Sequence, residues 1–205
     1  MQWRASSSWQ DRWPTASDGE QDMAQLTVAN QLTLLRMLLI PAFVILVLYG
    51  RVGWALVTFL VAGITDALDG LIARRAGQKT TLGAWLDPMA DKLLLVSAFV
   101  VLTVPESGLR FRLPLWLTIL VISRDLAIVL TVAVVNLAIG RKTFVPSLLG
   151  KTATAVYIVT CVTVLTVNYA GGGEPFLTSA VLLSAVITVL SALHYVGHAT
   201  RVINS

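Results

Sequence analysis

Four aspartates in the first half of the chain are the residues best suited to chemistry. Asp66 and Asp69 are three positions apart and Asp87 and Asp91 are four apart, in a protein that has only eleven acidic residues. On helices, these spacings place each pair on one face. A short connection, residues 75–82, separates the pairs. Two neighbouring helices can therefore bring all four carboxylates together.

Carboxylates that meet at membrane depth repel one another and lose hydration, so such a cluster requires cations. Ligands that are all oxygen favour Mg²⁺, Mn²⁺ or Ca²⁺. Four acids exceed what one Mg²⁺ usually takes from a protein. The cluster therefore predicts a site for Mg²⁺ or Mn²⁺ that holds two ions.

The composition indicates a membrane protein. The chain is 56% hydrophobic and 13% charged, with a mean hydropathy of +0.78, far from ordinary soluble usage. The net charge of +4 suits loop topology and anionic headgroups, and we predict no nucleic-acid partner. One cysteine, Cys161, supports neither a disulfide framework nor a thiolate metal site.

Apolar runs separated by turn residues divide the chain. Residues 1–22 are polar and lack the apolar core of a signal peptide, so we predict a poorly ordered extension before a membrane domain, 23–205. At about 20 apolar residues per crossing, six spans are predicted: 32–50, 53–73, 87–105, 113–139, 147–170 and 176–201. The expected fold class is all-α, a polytopic integral membrane protein with six transmembrane helices.

Six spans put both termini on one side of the bilayer. The short loops and chain end on that side hold most of the loop lysines and arginines: Arg74, Arg75, Lys79, Arg141, Lys142 and Arg201. Positive loops favour the cytoplasm. We predict a bacterial inner-membrane protein, and the charge bias places both termini on the cytoplasmic side and opens the polar cavity, between spans two and three, to the cytoplasm.

The aspartates belong to a longer pattern, D-x2-D-G-x2-A-R-x8-G-x3-D-x3-D. Its eight specified positions are Asp66, Asp69, Gly70, Ala73, Arg74, Gly83, Asp87 and Asp91. In this pattern the chain resembles the CDP-alcohol phosphotransferase family and matches every position of the signature. The resemblance implies a six-helix membrane enzyme, usually a homodimer. Such an enzyme transfers the phosphate-bearing group of a CDP-activated alcohol to an acceptor hydroxyl and releases CMP.

The aspartates suit that reaction. Metal held by Asp66, Asp69 and Asp87 can bridge a pyrophosphate and neutralise the charge that develops on the leaving CMP. The resemblance gives these three as metal ligands. It assigns Asp91 the role of general base toward the incoming hydroxyl, and Asp91 is also a candidate ligand.

The remaining motif residues are predicted to bind the CDP group. The small side chains of Gly70 and Ala73 lie on the helix face near Asp69, where they leave room for a nucleotide. Gly83 does the same on the neighbouring helix. Arg74 offers a planar set of donors suited to phosphate. These four residues form the predicted CDP site together with Asp69.

Two further segments narrow the substrates. The run NQLTLLRMLLIP, residues 30–41, and the run LDPMADK, residues 86–92, are similar to phosphatidylglycerophosphate synthases and CMP-forming cardiolipin synthases. This similarity implies CDP-diacylglycerol as the donor. We predict glycerol 3-phosphate as the acceptor and phosphatidylglycerophosphate as the product. The alternative is a cardiolipin synthase that accepts phosphatidylglycerol.

Three in-span cations could bind the phosphate of glycerol 3-phosphate: Arg36, Arg124 and Lys151. Arg36 could instead anchor the first helix at the interface, and Lys151 could extend to the headgroups. Arg124 precedes Asp125, and adjacent residues on a helix point about 100° apart, so we expect the two not to face each other. A shared structural network is the alternative for Arg124. The Arg-Asp pair looks more like cardiolipin synthases, so the acceptor stays open.

Two other interpretations of the aspartates compete with the enzyme. They could be salt-bridged helix ends, with partners among the basic residues nearby in sequence: Arg74, Arg75, Lys79 and Lys92. They could also line the ion path of an ion-coupled carrier. An ion path does not need the small residues that leave room for a nucleotide, and acids embedded in an apolar run are functional as a rule. The pattern therefore favours the enzyme.

Overall fold

The computed structural model describes residues 28–76, 81–139 and 148–203, with side-chain surroundings for residues 31, 33–66, 90–131 and 149–195. Six α-helices occupy these ranges: α1 Val28–Leu48, α2 Val52–Ala76, α3 Thr81–Thr103, α4 Leu115–Ile139, α5 Leu148–Ala170 and α6 Glu174–Ile203. The predicted all-α class is confirmed, and the bounds of each predicted span agree with those of one helix to within six residues. The predicted extension, residues 1–22, lies outside the described residues.

Glycines allow two of the connections to be very short. Gly50, between α1 and α2, has φ 68°, and Gly171 and Gly173, between α5 and α6, have φ 74° and 113°. Non-glycine residues rarely adopt these conformations. Helices joined by such short turns pack side by side in opposite directions. The chain accordingly contains two hairpins, α1–α2 and α5–α6.

The core lies among α1, α2, α3 and α5. Helix α1 packs against both α2 and α3, and α5 packs against α2, α3 and α6. Phe43 of α1 and Phe59 of α2 are 5.5 Å apart between ring centroids, and Phe99 of α3 meets Tyr157 of α5 edge to face at 5.5 Å. Helix α4 joins this group through α3 and α6. This arrangement packs both motif-bearing helices, α2 and α3, against α1.

The outward faces of the helices are apolar, with large exposed side chains such as Leu38, Trp54, Leu126 and Leu193. By length and composition, two of the described helices could cross a membrane, in Leu149–Ala170 and Glu174–Tyr195. Two shorter apolar stretches are Thr33–Leu48 and Val52–Asp66. Six membrane crossings therefore stay a prediction.

Candidate active site

A buried guanidinium joins three helices at the level of the motif. Arg36 on α1 is fully buried. Its Nη1 donates to Asp66 Oδ1 on α2 at 2.9 Å and to Asp91 Oδ1 on α3 at 2.8 Å. Charge-assisted hydrogen bonds of this length are among the strong ones in proteins. The first and last aspartates of the motif therefore lie within one hydrogen-bond length of the same nitrogen.

Helix geometry explains why these two aspartates meet. Asp66 lies ten residues before the end of α2 at Ala76, and Asp91 lies ten residues after the start of α3 at Thr81. At a rise of 1.5 Å per residue, each is about 15 Å from the connection between the two helices. Both positions therefore return to one level, where Arg36 reaches them from α1.

A cavity of about 270 Å³ opens beside the two carboxylates. The side chains of Asp66 and Asp91 are 41% and 43% exposed, so a ligand can reach them. The other described lining residues are almost entirely apolar and come from α2, α3 and α5: Phe59, Leu60, Gly63, Ile64, Leu94, Leu95, Thr154 and Ile158. Among the described lining residues of α2 and α3, the aspartates are the nearest to the connection between the helices. The described lining therefore has a charged end and an apolar body, as an amphipathic ligand requires.

The donors described at the cavity suit a hard divalent cation, because carboxylate oxygens are what Mg²⁺ and Mn²⁺ prefer. Asp69 lies in α2 one turn beyond Asp66, and Asp87 lies in α3 one turn before Asp91, so the helices place both nearer the connection. Their side chains lie outside the described residues. Within the described part of the chain, no three acidic, histidine or cysteine side chains gather into a metal cluster. The four-aspartate metal site therefore stays a prediction. The positions of Asp66 and Asp91, its two described members, are compatible with it.

The predicted CDP-binding residues are placed by the backbone alone. Gly70, Ala73 and Arg74 lie in the last two turns of α2, and Gly83 lies in the first turn of α3. Together with Asp69, they therefore lie along the helix segments that lead from the cavity to the connection. Their side-chain surroundings fall outside the described residues, so their roles stay predictions.

Arg124, a predicted acceptor ligand, belongs to a second charge network. It is 8% exposed, and its Nη1 donates to Asp125 Oδ1 at 2.7 Å. Its Nη2 donates to Ser191 Oγ on α6. Lys92 of α3 donates to the other carboxylate oxygen of Asp125. The expectation that Arg124 and Asp125 do not face each other is wrong, because the long arginine side chain turns back to its neighbour. These contacts fit the network alternative for Arg124, and binding of the acceptor by Arg124 stays a prediction.

The two other predicted acceptor ligands differ in environment. Arg36 is fully buried and paired with Asp66 and Asp91, which does not suit a side chain that anchors α1 at the membrane interface. This pairing also differs from the salt bridges considered for the aspartates, since Arg36 is distant in sequence. Lys151 is exposed in the first turn of α5, which suits a side chain that extends to headgroups. Binding of the acceptor by either residue stays a prediction.

Sequence reasoning missed a row of buried hydroxyls on α6. Ser184 and Thr188 pair with Thr160 and Tyr157 of α5 at 2.7 Å each, and Ser191 accepts from Arg124. The three α6 residues are four and then three positions apart, which puts them on one helix face. This spacing is the feature of the sequence that could have revealed the row. The row joins α6 to both α5 and α4.

Comparison with known proteins identifies the family of the chain. The family model for CDP-alcohol phosphatidyltransferase matches residues 26–195, which is most of the chain. The chain therefore belongs to the CDP-alcohol phosphatidyltransferase family, and the resemblance read from the eight-residue pattern is confirmed.

Individual relatives show which enzymes of the family this chain is similar to. A protein of Mycobacterium tuberculosis named probable phosphatidylglycerophosphate synthase is 36% identical over 186 residues, covering 85% of this chain and 82% of the relative. The CDP-diacylglycerol–glycerol-3-phosphate 3-phosphatidyltransferase of Escherichia coli is 35% identical over 185 residues, covering 85% and 96%. A CMP-forming cardiolipin synthase of Streptomyces coelicolor is 36% identical over 138 residues, covering 63% and 60%. The predicted similarity to both groups is confirmed.

Replacing Asp125 should destabilise the protein more than replacing Lys92. Asp125→Asn leaves the buried Arg124 without its carboxylate, and removing one partner of a buried pair costs about 3–5 kcal/mol. Lys92 is half-exposed at 51%, and exposed ion pairs contribute about 0–1 kcal/mol, so Lys92→Met is the matched control. Thermal unfolding of the two detergent-purified variants measures the difference. Equal losses would contradict Asp125 as the main counter-ion of Arg124.

Proposed function

We propose that this protein is a metal-dependent CDP-diacylglycerol phosphatidyltransferase that uses glycerol 3-phosphate and forms phosphatidylglycerophosphate and CMP. One observation carries the proposal. Asp66 and Asp91, from the two halves of the motif, meet at the charged end of one apolar cavity. Membership of the family and the eight matched motif residues support the same reaction.

The cavity suits the donor because a CDP-activated lipid is itself charged at one end and apolar along its body. Leu60, Ile64 and Ile158 line the cavity and are 41%, 57% and 39% exposed. In a bilayer these side chains would contact lipid. An acyl chain could therefore enter sideways between α2 and α5 while its headgroup stays beside Asp66 and Asp91.

We propose that Asp66, Asp69 and Asp87, with Asp91 as a further ligand, hold two Mg²⁺ or Mn²⁺ ions. When bound, the ions would neutralise the pyrophosphate and the charge on the departing CMP. Arg74 would donate to phosphate oxygens, and Gly70, Ala73 and Gly83 would leave room for the nucleotide.

In the chemical step, the acceptor hydroxyl oxygen attacks the β-phosphorus of the donor and forms a new P–O bond. The P–O bond to CMP breaks, and its electron pair leaves with CMP. The proton of the hydroxyl passes to the carboxylate of Asp91, which acts as general base. Asp91 suits this role because its side chain is half-exposed at the cavity, while its pairing with Arg36 keeps it in place.

The preference for glycerol 3-phosphate has two supports. The relatives named for glycerophosphate chemistry match 85% of the chain, whereas the cardiolipin synthase matches 63%. A small anionic acceptor also needs a cation, and the Nε of Arg124 is buried without a hydrogen-bond partner among the described residues. We therefore keep Arg124 and the exposed Lys151 as proposed acceptor ligands, with phosphatidylglycerol as the alternative acceptor.

The proposed setting is the bacterial inner membrane. All six helices would cross the bilayer, with the α2–α3 connection and both termini on the cytoplasmic side. The apolar outer faces of the helices support this arrangement, as do the two helices that are long and apolar enough to cross by themselves. CDP-activated donors and soluble glycerol 3-phosphate would then reach the site from the same side.

The direct test is release of CMP from CDP-diacylglycerol by the purified protein. Glycerol 3-phosphate, phosphatidylglycerol, inositol 1-phosphate and serine are offered in turn, with Mg²⁺ or Mn²⁺ or with EDTA. We expect release with glycerol 3-phosphate that EDTA abolishes, because the carboxylates need the cation to engage the pyrophosphate. Release with phosphatidylglycerol alone would identify a cardiolipin synthase. An ion-coupled carrier would release no CMP under any condition.

Asp91→Asn should lower the rate of CMP release by about 10²–10⁴-fold, the usual contribution of a general base, while binding of CDP-diacylglycerol persists. Glu106→Gln is the control, since it makes the same acid-to-amide change at an exposed position in the turn Pro105–Ser107. Initial rates and binding of labelled donor measure the two effects. Loss of donor binding in Asp91→Asn would instead make Asp91 chiefly a metal ligand.

Gly63→Leu should raise KM for CDP-diacylglycerol and leave the protein folded. A Cβ at Gly63 would meet no atom within 4 Å, so the larger side chain extends into the cavity and occupies space proposed for the acyl chain. Gly172→Leu is the matched control, because a Cβ there also meets nothing within 4 Å and the residue lies in the exposed α5–α6 turn. Unchanged KM in Gly63→Leu would mean that the acyl chain lies elsewhere.

A further inference from the structure

We propose that Arg36 is a positioning residue whose guanidinium acts as a built-in counter-cation, holding Asp66 and Asp91 together until divalent metal shares their charge. The inference rests on the proposed metal-dependent function and assigns Arg36 a different role from acceptor binding. It follows from three features of the described site, which are the geometry of the contacts, the burial of the arginine and the exposure of the two aspartates.

The guanidinium of Arg36 lies between the two carboxylates. Its Nη1 makes an ion pair with each of them, at 2.9 Å to Asp66 and 2.8 Å to Asp91. This nitrogen therefore bridges carboxylates that belong to different helices. A bridging cation of this kind fixes how far apart the two carboxylates can lie.

Burial keeps the guanidinium in that position. The side chain of Arg36 is 0% exposed, whereas those of Asp66 and Asp91 are 41% and 43% exposed. A substrate in the cavity therefore meets the carboxylates, and the arginine lies behind them. A buried charge also needs its counter-ions, so the guanidinium and the two carboxylates hold one another in place.

The charges at the site predict the condition in which Arg36 contributes most to the stability of the protein. Without a cation, two neighbouring carboxylates repel each other and both are disfavoured in their ionised form. Arg36 offsets this repulsion in the metal-free protein. A divalent ion on the same carboxylates would offset it as well, and a ligand that binds the folded state stabilises that state. The loss of Arg36 should therefore lower the stability of the protein most when metal is absent.

The test is the thermal unfolding of Arg36→Met in detergent, measured with EDTA and with Mn²⁺. We expect a larger fall in melting temperature in EDTA than in Mn²⁺, so that Mn²⁺ raises the melting temperature of the variant more than that of the unmodified protein. Arg124→Met is the matched control. It also removes a buried, paired arginine, but its partners do not line the cavity, so its fall should be the same in both conditions.

Kinetics separate positioning from acceptor binding. If Arg36 positions the two aspartates, Arg36→Met should lower kcat and leave KM for glycerol 3-phosphate unchanged. A raised KM for glycerol 3-phosphate with an unchanged metal-free melting temperature would overturn the inference and make Arg36 an acceptor ligand. Equal falls in melting temperature with EDTA and with Mn²⁺ would overturn it too.

Arg36→Lys keeps the test decisive if Arg36→Met fails to fold. Lysine retains one positive charge on a shorter side chain. The melting temperature of Arg36→Lys in EDTA should therefore lie below that of the unmodified protein and recover with Mn²⁺. A deficit that Mn²⁺ does not reduce would reject the proposal. The activity of the unmodified protein is judged separately, because absence of metal-dependent CMP release would reject the proposed function whatever the variants show.

Discussion

A charge can stay buried in an apolar bundle only if opposite charge lies beside it. The contacts of Arg36 with Asp66 and Asp91 meet this requirement where α1, α2 and α3 converge. Because the arginine is fully enclosed, α1 must stay packed against both motif-bearing helices for the pairing to survive. The position of the cavity, and the presence of two reachable carboxylates at its end, are consequences of this one constraint.

The remaining polar contacts decide which helices pack together. Lipid is as apolar as a leucine side chain, so the hydrophobic effect alone does not select helix partners inside a membrane. Hydroxyl pairs join α5 to α6 through Tyr157–Thr188 and Thr160–Ser184, and the Asp125 network joins α3, α4 and α6. These contacts hold the outer helices on the group formed by α1, α2 and α3.

Much of the architecture could be predicted from the sequence, because long apolar runs broken by glycine and charge define six helices with little ambiguity. Helix geometry also places Asp66 and Asp91 at the same height, because each lies ten residues from the connection between α2 and α3. The partners of Arg36 could not be predicted, since they depend on how the helices pack. Arg36 and Asp91, for example, are 55 positions apart in the chain. Arg124 was misjudged for a different reason. Backbone direction alone neglects the reach of a long side chain.

The hydroxyl pairs between α5 and α6 have a consequence for the cavity. Thr154 and Ile158 form its α5 wall, and Tyr157 and Thr160, which tie α5 to α6, lie within one turn of Ile158. These contacts hold the α5 wall on α6, whereas Leu60 and Ile64 on the α2 wall are 41% and 57% exposed. If the proposed lipid donor lies between the two walls, rotamer changes of Leu60 and Ile64 would let the cavity take acyl chains of different shape, and selectivity would then fall on the headgroup.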